Sequence, residues 1–468
     1  MSIAVEVERW LPRPGHVAAS RNVRLTVGKA GVSVSAGAGG GAGRLALPAP
    51  VDAHDHGYGI RTLDFGWPDD ALEPWIAGMR LRPPTDPYLE ALVAFGRVAL
   101  AGCAATMHCH NSLNIERLVD EAGAVVRAAK DCGIRLAFSC PLLDASPWVY
   151  GGPEALRGVL SDDEWRGVSG LVPRYAPIAD QMAAAEAIAA SHSGEGVDVQ
   201  YGPIGVQWAS DELLQTIADA SARTGRRIHM HLLESPRQRA WLDRRFPGGV
   251  IRHLDRIGFL SPRLAVAHGV QLRPDECELL AERGVIVVTN PSANLRLRSG
   301  VAPLPGFHAA GLEFAIGLDG SSFDDDQDIW REMRLARLLH GGCGLDAQLP
   351  GAAVFDAAIR SGAKVVNQPA GRDVVVVDHG ALTEEAIFDD VDEAELLLTR
   401  MTARHVTDLV VAGRHVVRDR KLTGFDFGAA RKELVAQACA ALPRWNEQRE
   451  IARRLSGYIR RYYQMNCP

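Results

Sequence analysis

Between residues 45 and 322 the chain repeats one pattern eight times: a short apolar run, a turn, and a segment with helical spacing of apolar residues. Near-continuous apolar strands that alternate with helices are typical of a parallel sheet covered on both faces. Eight repeats predict a closed (β/α)8 TIM barrel. The apolar runs are 45–56, 103–111, 135–144, 197–207, 226–235, 264–272, 285–294 and 313–322.

An open, doubly wound parallel sheet shows the same alternation and is the alternative fold. Such sheets often carry a Gly-rich phosphate-binding turn that leads into a helix. The approximate match at residues 41–46 lies in a Gly/Ala tract with no helix after it. The closed barrel is therefore the favoured prediction.

Short runs with β-like alternation flank the barrel on both sides. They predict that residues 1–48 and 365–426 pair into one small β-sandwich-like domain, while residues 49–364 form the barrel. Residues 427–468 have helical periodicity and a basic end, and are predicted to be a C-terminal helical tail. This tail is interpreted first as a solvated surface helix; the alternative, an oligomer contact, would make the protein a homo-oligomer.

The composition limits the partners of this protein. The 468 residues carry a formal net charge of -6, and nucleic-acid binding requires a basic face, so we expect no nucleic-acid partner. No stretch approaches the roughly 20 apolar residues of a membrane span, and the N-terminal segment lacks the pattern of a signal peptide. We therefore expect a cytoplasmic protein with no membrane partner.

Metal-ligating and ionisable residues follow several predicted strands. His54 and His56 lie two residues apart on the first strand, so both imidazoles share one face and can bind one metal ion. Taken alone, such a pair is as often two polar residues without a functional role as it is a metal site. Four strands end in such residues, however, and burying unpartnered ionisable groups is costly, which favours a functional site. The further candidates are His231, Glu234, His268 and Asp319.

These segments resemble the amidohydrolase superfamily, and within it the aminohydrolases that include guanine, cytosine and S-adenosylhomocysteine deaminases and triazine hydrolases. The resemblance extends from about Val51 to about Thr423. PVDAHDH resembles the family's HxH strand, HMHLLES its HxxE strand, and AHGVQL and GLDGSS its later His and Asp positions. The segments NPSANLRLRSGVAPL and DIWREMRLARLL also resemble this subgroup, which makes the match specific.

The resemblance implies one divalent metal ion, zinc first and iron(II) as the alternative, bound by His54, His56, His231 and Asp319. Neutral imidazoles and a carboxylate suit either ion. Superfamily members with two metals bridge them with a carboxylated lysine on the fourth strand, and no lysine occurs between residues 130 and 364. We therefore expect a mononuclear site.

The resemblance also implies the chemistry of the site. Glu234 would be the general acid and base, carrying a proton from the attacking water to a ring nitrogen of the substrate. Asp319 and His268 would hold and deprotonate the attacking oxygen, and ammonia would leave. His229, on the same face as His231, is expected to be a hydrogen-bonded neighbour rather than a ligand.

Two long predicted connections, residues 57–88 and 141–177, are rich in aromatic residues, which suits a flat, nitrogen-rich ring. Gln207 and Asn290 stand at strand ends where many related deaminases carry histidine, and their amides can pair with the edge of a ring. The candidate substrate-binding residues are Gln207, His110, Arg61, Trp208 and Asn290.

The predicted function is that of a metal-dependent aminohydrolase, an enzyme that deaminates a small amino-substituted purine, pterin, pyrimidine or triazine. One alternative keeps the site but changes the leaving group on the ring to chloride or an alkylamine. A second alternative is a non-catalytic barrel used for binding or assembly. The presence of all the candidate ligands together with Glu234 and His268 argues against this last reading.

Overall fold

The computed structural model describes residues 2–112, 115–145, 148–320, 326–388 and 390–466. These residues form two eight-stranded sheets. The chain starts in the first sheet with β1 (Ser2–Trp10), β2 (Ser20–Gly28), β3 (Gly31–Ala36) and β4 (Arg44–Pro48). In the described part of the chain, no helix is both long and apolar enough to cross a membrane.

The second sheet is a parallel barrel whose strands neighbour one another in chain order. Almost every residue of these strands is buried, because helices cover the outer face and side chains fill the inside. Each predicted apolar run contains one barrel strand, so the (β/α)8 barrel is confirmed. The strands are β5 (Val51–Asp55), β6 (Ala105–Cys109), β7 (Arg135–Leu142), β8 (Val197–Pro203), β9 (Ile228–Leu232), β10 (Leu264–His268), β11 (Ile286–Thr289) and β12 (Phe314–Ile316).

The barrel closes between its last and first strands. Beyond β12, the backbone N–H groups of Leu318 and Asp319 donate to the carbonyl oxygen of His54 at 3.1 and 2.7 Å. The buried carboxylate of Asp52 supports this seam, since it accepts from Leu318 N at 3.0 Å and from Thr106 Oγ1 at 2.7 Å. The alternative of an open sheet is therefore wrong.

Both flanking segments contribute to the first sheet. The later strands are β13 (Val374–Asp378), β14 (Val406–Val411), β15 (Arg414–Arg418) and β16 (Lys421–Leu422). The strand order is β16-β15-β14-β13-β4-β1-β2-β3, and β4 pairs antiparallel with β13. Residues from both halves, such as Leu25 and Val376, share an apolar core separate from that of the barrel. The small β domain built from both chain ends is confirmed, while its exact bounds at residues 48, 365 and 426 stay a prediction.

Helices surround the barrel and cover the C-terminal ends of its strands. Serine side chains cap two of them: Ser210 and Ser235 accept from backbone N–H groups in the first turns of the helices that follow β8 and β9. In chain order the helices are α1 (Leu72–Ile76), α2 (Pro87–Leu100), α3 (Ile115–Cys132), α4 (Pro153–Arg157), α5 (Asp162–Ser169), α6 (Ile178–His192), α7 (Asp211–Thr224), α8 (Pro236–Arg245), α9 (Val250–Arg256), α10 (Pro274–Glu282), α11 (Pro291–Arg296), α12 (Leu304–Ala309), α13 (Ile329–Leu339), α14 (Gly351–Asp356), α15 (Gly362–Val365), α16 (His379–Leu382), α17 (Glu393–Arg400) and α18 (Phe427–Asn466).

The predicted C-terminal tail is α18, a helix of 40 residues. It is not simply solvated, because one stripe of its surface is buried against the rest of the chain. The buried residues of the stripe are Leu434, Ala438, Ala452, Leu455, Ile459 and Tyr463. The interpretation as a solvated surface helix is therefore corrected: α18 packs over the barrel.

One buried ion pair joins the two sheets and generates a stability prediction. The guanidinium of Arg135, at the start of β7, donates to both carboxylate oxygens of Asp373 at 2.7 and 3.1 Å. Both side chains are about nine-tenths buried, so Arg135→Met would leave an uncompensated charge in the interior. We expect a loss of about 3–5 kcal/mol in the free energy of unfolding, measured by urea denaturation.

The matched control is Arg283→Met. Arg283 also forms a bidentate ion pair, with Asp255, but this pair is exposed to solvent. Exposed pairs contribute little, so this variant should unfold at nearly the same urea concentration as the parent protein. Equal losses in the two variants would contradict a special role for the Arg135 pair.

Candidate metal centre

Four side chains from β5, β9 and the segments directly after β5 and β12 meet at one end of the barrel. His54 lies on β5 and His56 directly follows this strand. The Nε2 atom of each lies 3.3 Å from Oδ1 of Asp319. His231 from β9 completes the group, with its Nε2 atom 3.3 Å from Nε2 of His56. The fold thus brings the four predicted ligands together.

The chemistry of these four residues fits a divalent cation. Within the described residues, Nε2 of His54 and Oδ1 of Asp319 are buried and lack a hydrogen-bond partner, although they lie 3.3 Å apart. Such buried polar atoms are costly unless something pairs with them. The ligand atoms of His54, His56 and His231 all lie within 4.8 Å of one another. Three imidazoles and one carboxylate suit zinc or iron(II), so we call these residues the candidate metal centre.

Burial and mutual contacts shift the pKa values of the candidate centre. Removal from water lowers the pKa of His54 to about 4 and that of His231 well below its usual value. Burial alone would raise the pKa of Asp319, but contacts with His54 and His56 outweigh it and hold this pKa below the usual range. The same contact with Asp319 outweighs burial at His56 and raises its pKa, so a cation would displace a proton there.

Hydrogen bonds behind the imidazoles orient them toward the centre. Nδ1 of His231 donates to the carbonyl of Ile204 at 2.7 Å, and Nδ1 of His56 donates to the carbonyl of Cys109 at 3.0 Å. In both residues the donor sits on the far side of the ring, which leaves the Nε2 lone pair directed inward. His54 is held in the same way, because its Nδ1 atom lies 2.8 Å from Nε2 of His229.

A second group of possible ligand atoms lies behind His54 and is a poorer fit. It consists of His54, Cys109 and His229, whose ligand atoms also lie within 4.8 Å of one another. The two imidazole nitrogens are already hydrogen-bonded to each other. Burial raises the pKa of the Cys109 thiol well above its usual value, so this sulfur is not the thiolate that metals bind. His229 therefore supports His54 rather than forming a second centre.

Glu234 and His268 face each other beside the candidate centre. One carboxylate oxygen of Glu234 lies 3.6 Å from Nε2 of His268, while the other is buried with no hydrogen-bond partner among the described residues. Burial, and then the negative charges of Asp319 and Glu73, raise the pKa of Glu234 well above its usual value. Nδ1 of His268 donates to Oδ1 of Asn294 at 2.9 Å. A carboxyl group with a raised pKa can act as a general acid.

The backbone is strained at the positions that deliver these groups. Leu233, His268 and Asp319 have positive φ angles of 52°, 75° and 61°, in the left-handed region that side chains other than glycine seldom adopt. The left-handed residue Leu233 turns the chain after β9 and lets Glu234 enter the site. Backbone strain of this kind costs free energy and clusters at functional sites, which supports a functional interpretation of all three strand ends.

The candidate centre opens into a cavity of about 520 Å³. Its wall includes His56, His231, Glu234, His268 and Asp319. Many further wall residues are apolar or aromatic and come from the loops after β5 and β7, as the two aromatic connections predict; they include Tyr58, Leu72, Trp75, Ile76 and Trp148. Trp208, which follows β8, also lines the cavity. Concave sites of this size and lining are typical of small-molecule binding.

The five predicted substrate-binding residues divide into two groups. His110 and Trp208 line the cavity. Gln207 and Asn290 are buried and are not among the wall residues, and Asn290 instead places its Nδ2 atom 3.3 Å from Nδ1 of His268. Arg61 also lies outside the wall, because it is partly exposed and pairs with Asp64 at 2.9 Å.

Three features of the site were not singled out from the sequence. Arg82 lines the cavity and lies 3.8 Å above the Tyr58 ring, so the loop after β5 supplies its guanidinium from a different position than Arg61. Asn294 orients His268, although its segment was noted only for its family resemblance. The third is α18, which contributes Trp445 and Gln448 to the wall. Sequence spacing carries no signal for these long-range contacts.

Comparison with known proteins agrees with this geometry. A model of the amidohydrolase family matches residues 45–372, more than half of the chain. A 5-methylthioadenosine/S-adenosylhomocysteine deaminase from Thermococcus sibiricus is 34% identical over 200 residues, which are 42% of this chain and 46% of the relative. A protein of the same name from Nitratidesulfovibrio vulgaris is 29% identical over 387 residues, 80% of each chain. The chain spans only about half the length of the first of these relatives.

A solved structure supports the fold over nearly the whole chain. An adenosine deaminase from Xanthomonas campestris with bound zinc is similar with a TM-score of 0.78 and 21% sequence identity. The match covers 95% of this chain and 98% of the other. At this identity the likeness shows that the two chains share the barrel and the flanking sheet.

The first prediction of the site concerns metal content. Asp319→Asn removes the one anionic ligand of the candidate centre while keeping the size of the side chain. We expect purified protein to carry about one divalent ion per chain and the variant to carry far less after dialysis, measured by inductively coupled plasma mass spectrometry. His110→Gln, which changes a wall residue outside the centre, should keep its metal. Equal metal content in all three proteins would contradict the assignment.

The second prediction concerns His229. His229→Ala removes the group that holds Nδ1 of His54. We expect about a 10- to 100-fold weaker metal affinity, measured by competition with a chromogenic chelator, because supporting hydrogen bonds orient ligands. His229→Gln can restore the hydrogen bond through its amide and should recover part of the affinity. If the alanine variant bound no metal at all, His229 would be a ligand instead.

Proposed function

The chain belongs to the amidohydrolase family, and on this basis we propose that it is a metal-dependent hydrolase that deaminates an amino-substituted N-heterocycle and releases ammonia. Relatives named as deaminases of adenine nucleosides make an aminopurine, free or within a nucleoside, the substrate class that we propose first. The proposed metal ligands are His54, His56, His231 and Asp319. Zinc is the proposed ion, because a structurally similar adenosine deaminase contains it.

The observation that carries this proposal is the environment of Glu234. This carboxyl group lines the cavity, is 3% exposed, and has one oxygen without a partner among the described residues. Its raised pKa means that it holds a proton under conditions where an ordinary glutamate is ionised. A buried carboxyl group that opens onto a cavity beside three imidazoles and a carboxylate has the properties of a proton carrier.

The residues of the site then divide the reaction among them. A divalent ion bound by the four ligands would act as a Lewis acid that makes a water molecule acidic near neutral pH. In its ionised form Glu234 accepts a proton from the attacking water, and the carboxyl group so protonated delivers this proton to a ring nitrogen of the substrate. His268 and Asp319 hold the attacking oxygen against the carbon that bears the amino group. Once oxygen has added to this carbon, His268 and Asp319 take the second proton from this oxygen and pass it to the amino group. The carbon–nitrogen bond then breaks, the carbon–oxygen double bond forms, and ammonia leaves while the ring nitrogen keeps the first proton.

His268 is suited to this role because a hydrogen bond on one side of its ring leaves the nitrogen on the other side facing the cavity. Its Nδ1 atom donates to Asn294, so the Nε2 atom is the acceptor that faces Glu234 and the cavity. Burial lowers the pKa of His268, which keeps this ring neutral and its Nε2 lone pair available. A neutral His268 can therefore accept a hydrogen bond from the attacking water.

Substrate binding is proposed to use the remaining cavity wall. Trp208 offers an aromatic surface for stacking, and His110, held by Glu121 at 3.0 Å, offers a hydrogen-bonding group. Gln207 and Asn290 would act from behind the wall, by supporting the residues that touch the ring. A cytoplasmic location, the absence of nucleic-acid and membrane partners and a homo-oligomeric assembly stay predictions.

The test is an ammonia-release screen of zinc- and iron-loaded protein against aminopurines, aminopterins, aminopyrimidines and aminotriazines, with their chloro and alkylamino analogues included. Glu234→Gln should lower kcat by about 10²- to 10⁴-fold, because the amide cannot carry a proton. Metal content should be unchanged in this variant, which separates loss of the proton carrier from loss of the centre.

Full activity in Glu234→Gln would contradict the assigned role. Release of chloride or alkylamine without ammonia would replace deamination by the alternative leaving group. Metal-loaded protein that transforms no compound in the screen would favour the non-catalytic barrel.

A further inference from the structure

Part of the cavity wall belongs to the C-terminal helix rather than to the barrel. Trp445, Gln448, Leu455 and Ile459 of α18 line the cavity. Their spacings of three, seven and four residues place them on one face of the helix. This helix begins at Phe427, well beyond residue 372 where the match to the amidohydrolase family ends. A wall element outside the family region is a place where this chain can differ from its relatives.

The helix is fastened to both long loops that cover the cavity. Its ties to the loop between β5 and α2 include the ion pair of Arg460 with Asp70 and a hydrogen bond from Arg449 to the carbonyl of Phe65 at 3.4 Å. Its ties to the segment between β7 and α6 are an ion pair and a backbone hydrogen bond. These join Arg461 to Glu164 at 2.6 Å and Tyr150 N to Tyr463 OH at 3.0 Å.

Apolar side chains of α18 also pack against residues of the cavity wall. Leu455 and Ile459 are fully buried in a cluster with Trp148 and Trp208, two aromatic residues of the cavity. Ala452 of the same face packs in a second cluster with Trp75 and Leu297. These contacts pack α18 against the elements that border the cavity. The half-buried residues Trp445 and Gln448 lie further toward the start of the helix.

The size of the cavity indicates what this wall contacts. A volume of about 520 Å³ lies within the range of pockets that enclose drug-sized ligands, which are larger than a single amino-substituted ring. If the ring occupies the end with Glu234 and the metal ligands, space remains beside it. The side chains that border the remaining space are aromatic and aliphatic in the majority.

We propose that α18 selects the substituent of the substrate. Trp445 and Gln448 contact the group attached to the heterocycle, and this contact makes the protein prefer a ring whose substituent has both an apolar part and polar atoms to the bare ring. Trp445 supplies a large, rigid apolar surface, and Gln448 an amide that can pair with a polar atom of the substituent. The inference builds on the proposed deaminase function but assigns specificity to an element outside the barrel.

The test measures binding without turnover. In the Glu234→Gln background, equilibrium dissociation constants are determined by calorimetry for adenine and for 5'-methylthioadenosine, which carries an apolar thioether. We expect the substituted ligand to bind at least about tenfold more tightly than the bare ring. Adding Trp445→Ala should reduce this ratio by about tenfold, and adding Gln448→Ala should reduce it by less.

Two further variants control for folding and for position. Trp445→Phe keeps an aromatic ring and should keep most of the preference for the substituted ligand. A variant in which α18 had unfolded would lose this preference. Glu447→Ala changes an exposed residue between the two and should leave both dissociation constants unchanged. Thermal melting of every variant checks that α18 remains packed.

The outcomes separate this inference from the proposed function. An unchanged ratio in Trp445→Ala, or failure of both ligands to bind, would overturn the role of α18. A ratio that falls in Trp445→Ala supports it, whether or not the parent protein releases ammonia. Binding without ammonia release in the parent protein would count against the deaminase function alone.

Discussion

The seam between the last and first barrel strands is the contact on which the site depends. Two backbone N–H groups after β12 donate to the carbonyl of His54, and the Asp52 carboxylate holds the same seam from behind. Because one of the two donors is Asp319 itself, closing the barrel also sets this carboxylate against His54 and His56. Fold and candidate metal centre are therefore stabilised by the same hydrogen bonds.

Several residues at the strand ends have strained backbone conformations. His268 and Asp319 adopt left-handed backbone conformations, and Leu233 does the same one residue before Glu234. Such conformations persist only where surrounding packing enforces them. Here the fully buried strands enforce them, and hydrogen bonds to the outer side of each imidazole fix the ring orientation. The strained backbone lowers the stability of the folded protein, but it keeps the side chains of the site in position before substrate binds.

The barrel strands and the elements around them contribute different parts of the site. Strand ends supply the candidate ligands and Glu234, and these positions tolerate little change because several groups must meet within a few ångströms. The loops after β5 and β7 and the helix α18 form much of the remaining wall, and α18 is tied to these loops by ion pairs such as Arg461 with Glu164. Changes in this outer layer can alter which molecule fits without disturbing the reacting groups.

The sequence by itself determined the barrel, the sheet built from both chain ends, the family and the identity of the ionisable residues at the strand ends. It could do so because apolar periodicity and residue type are local properties, and buried parallel strands show them directly. Only the tertiary structure decided that Arg82 rather than Arg61 borders the cavity, that Asn294 orients His268, and that α18 is a wall rather than a solvated tail. Each of these depends on contacts between residues far apart in the chain, for which local spacing carries no information.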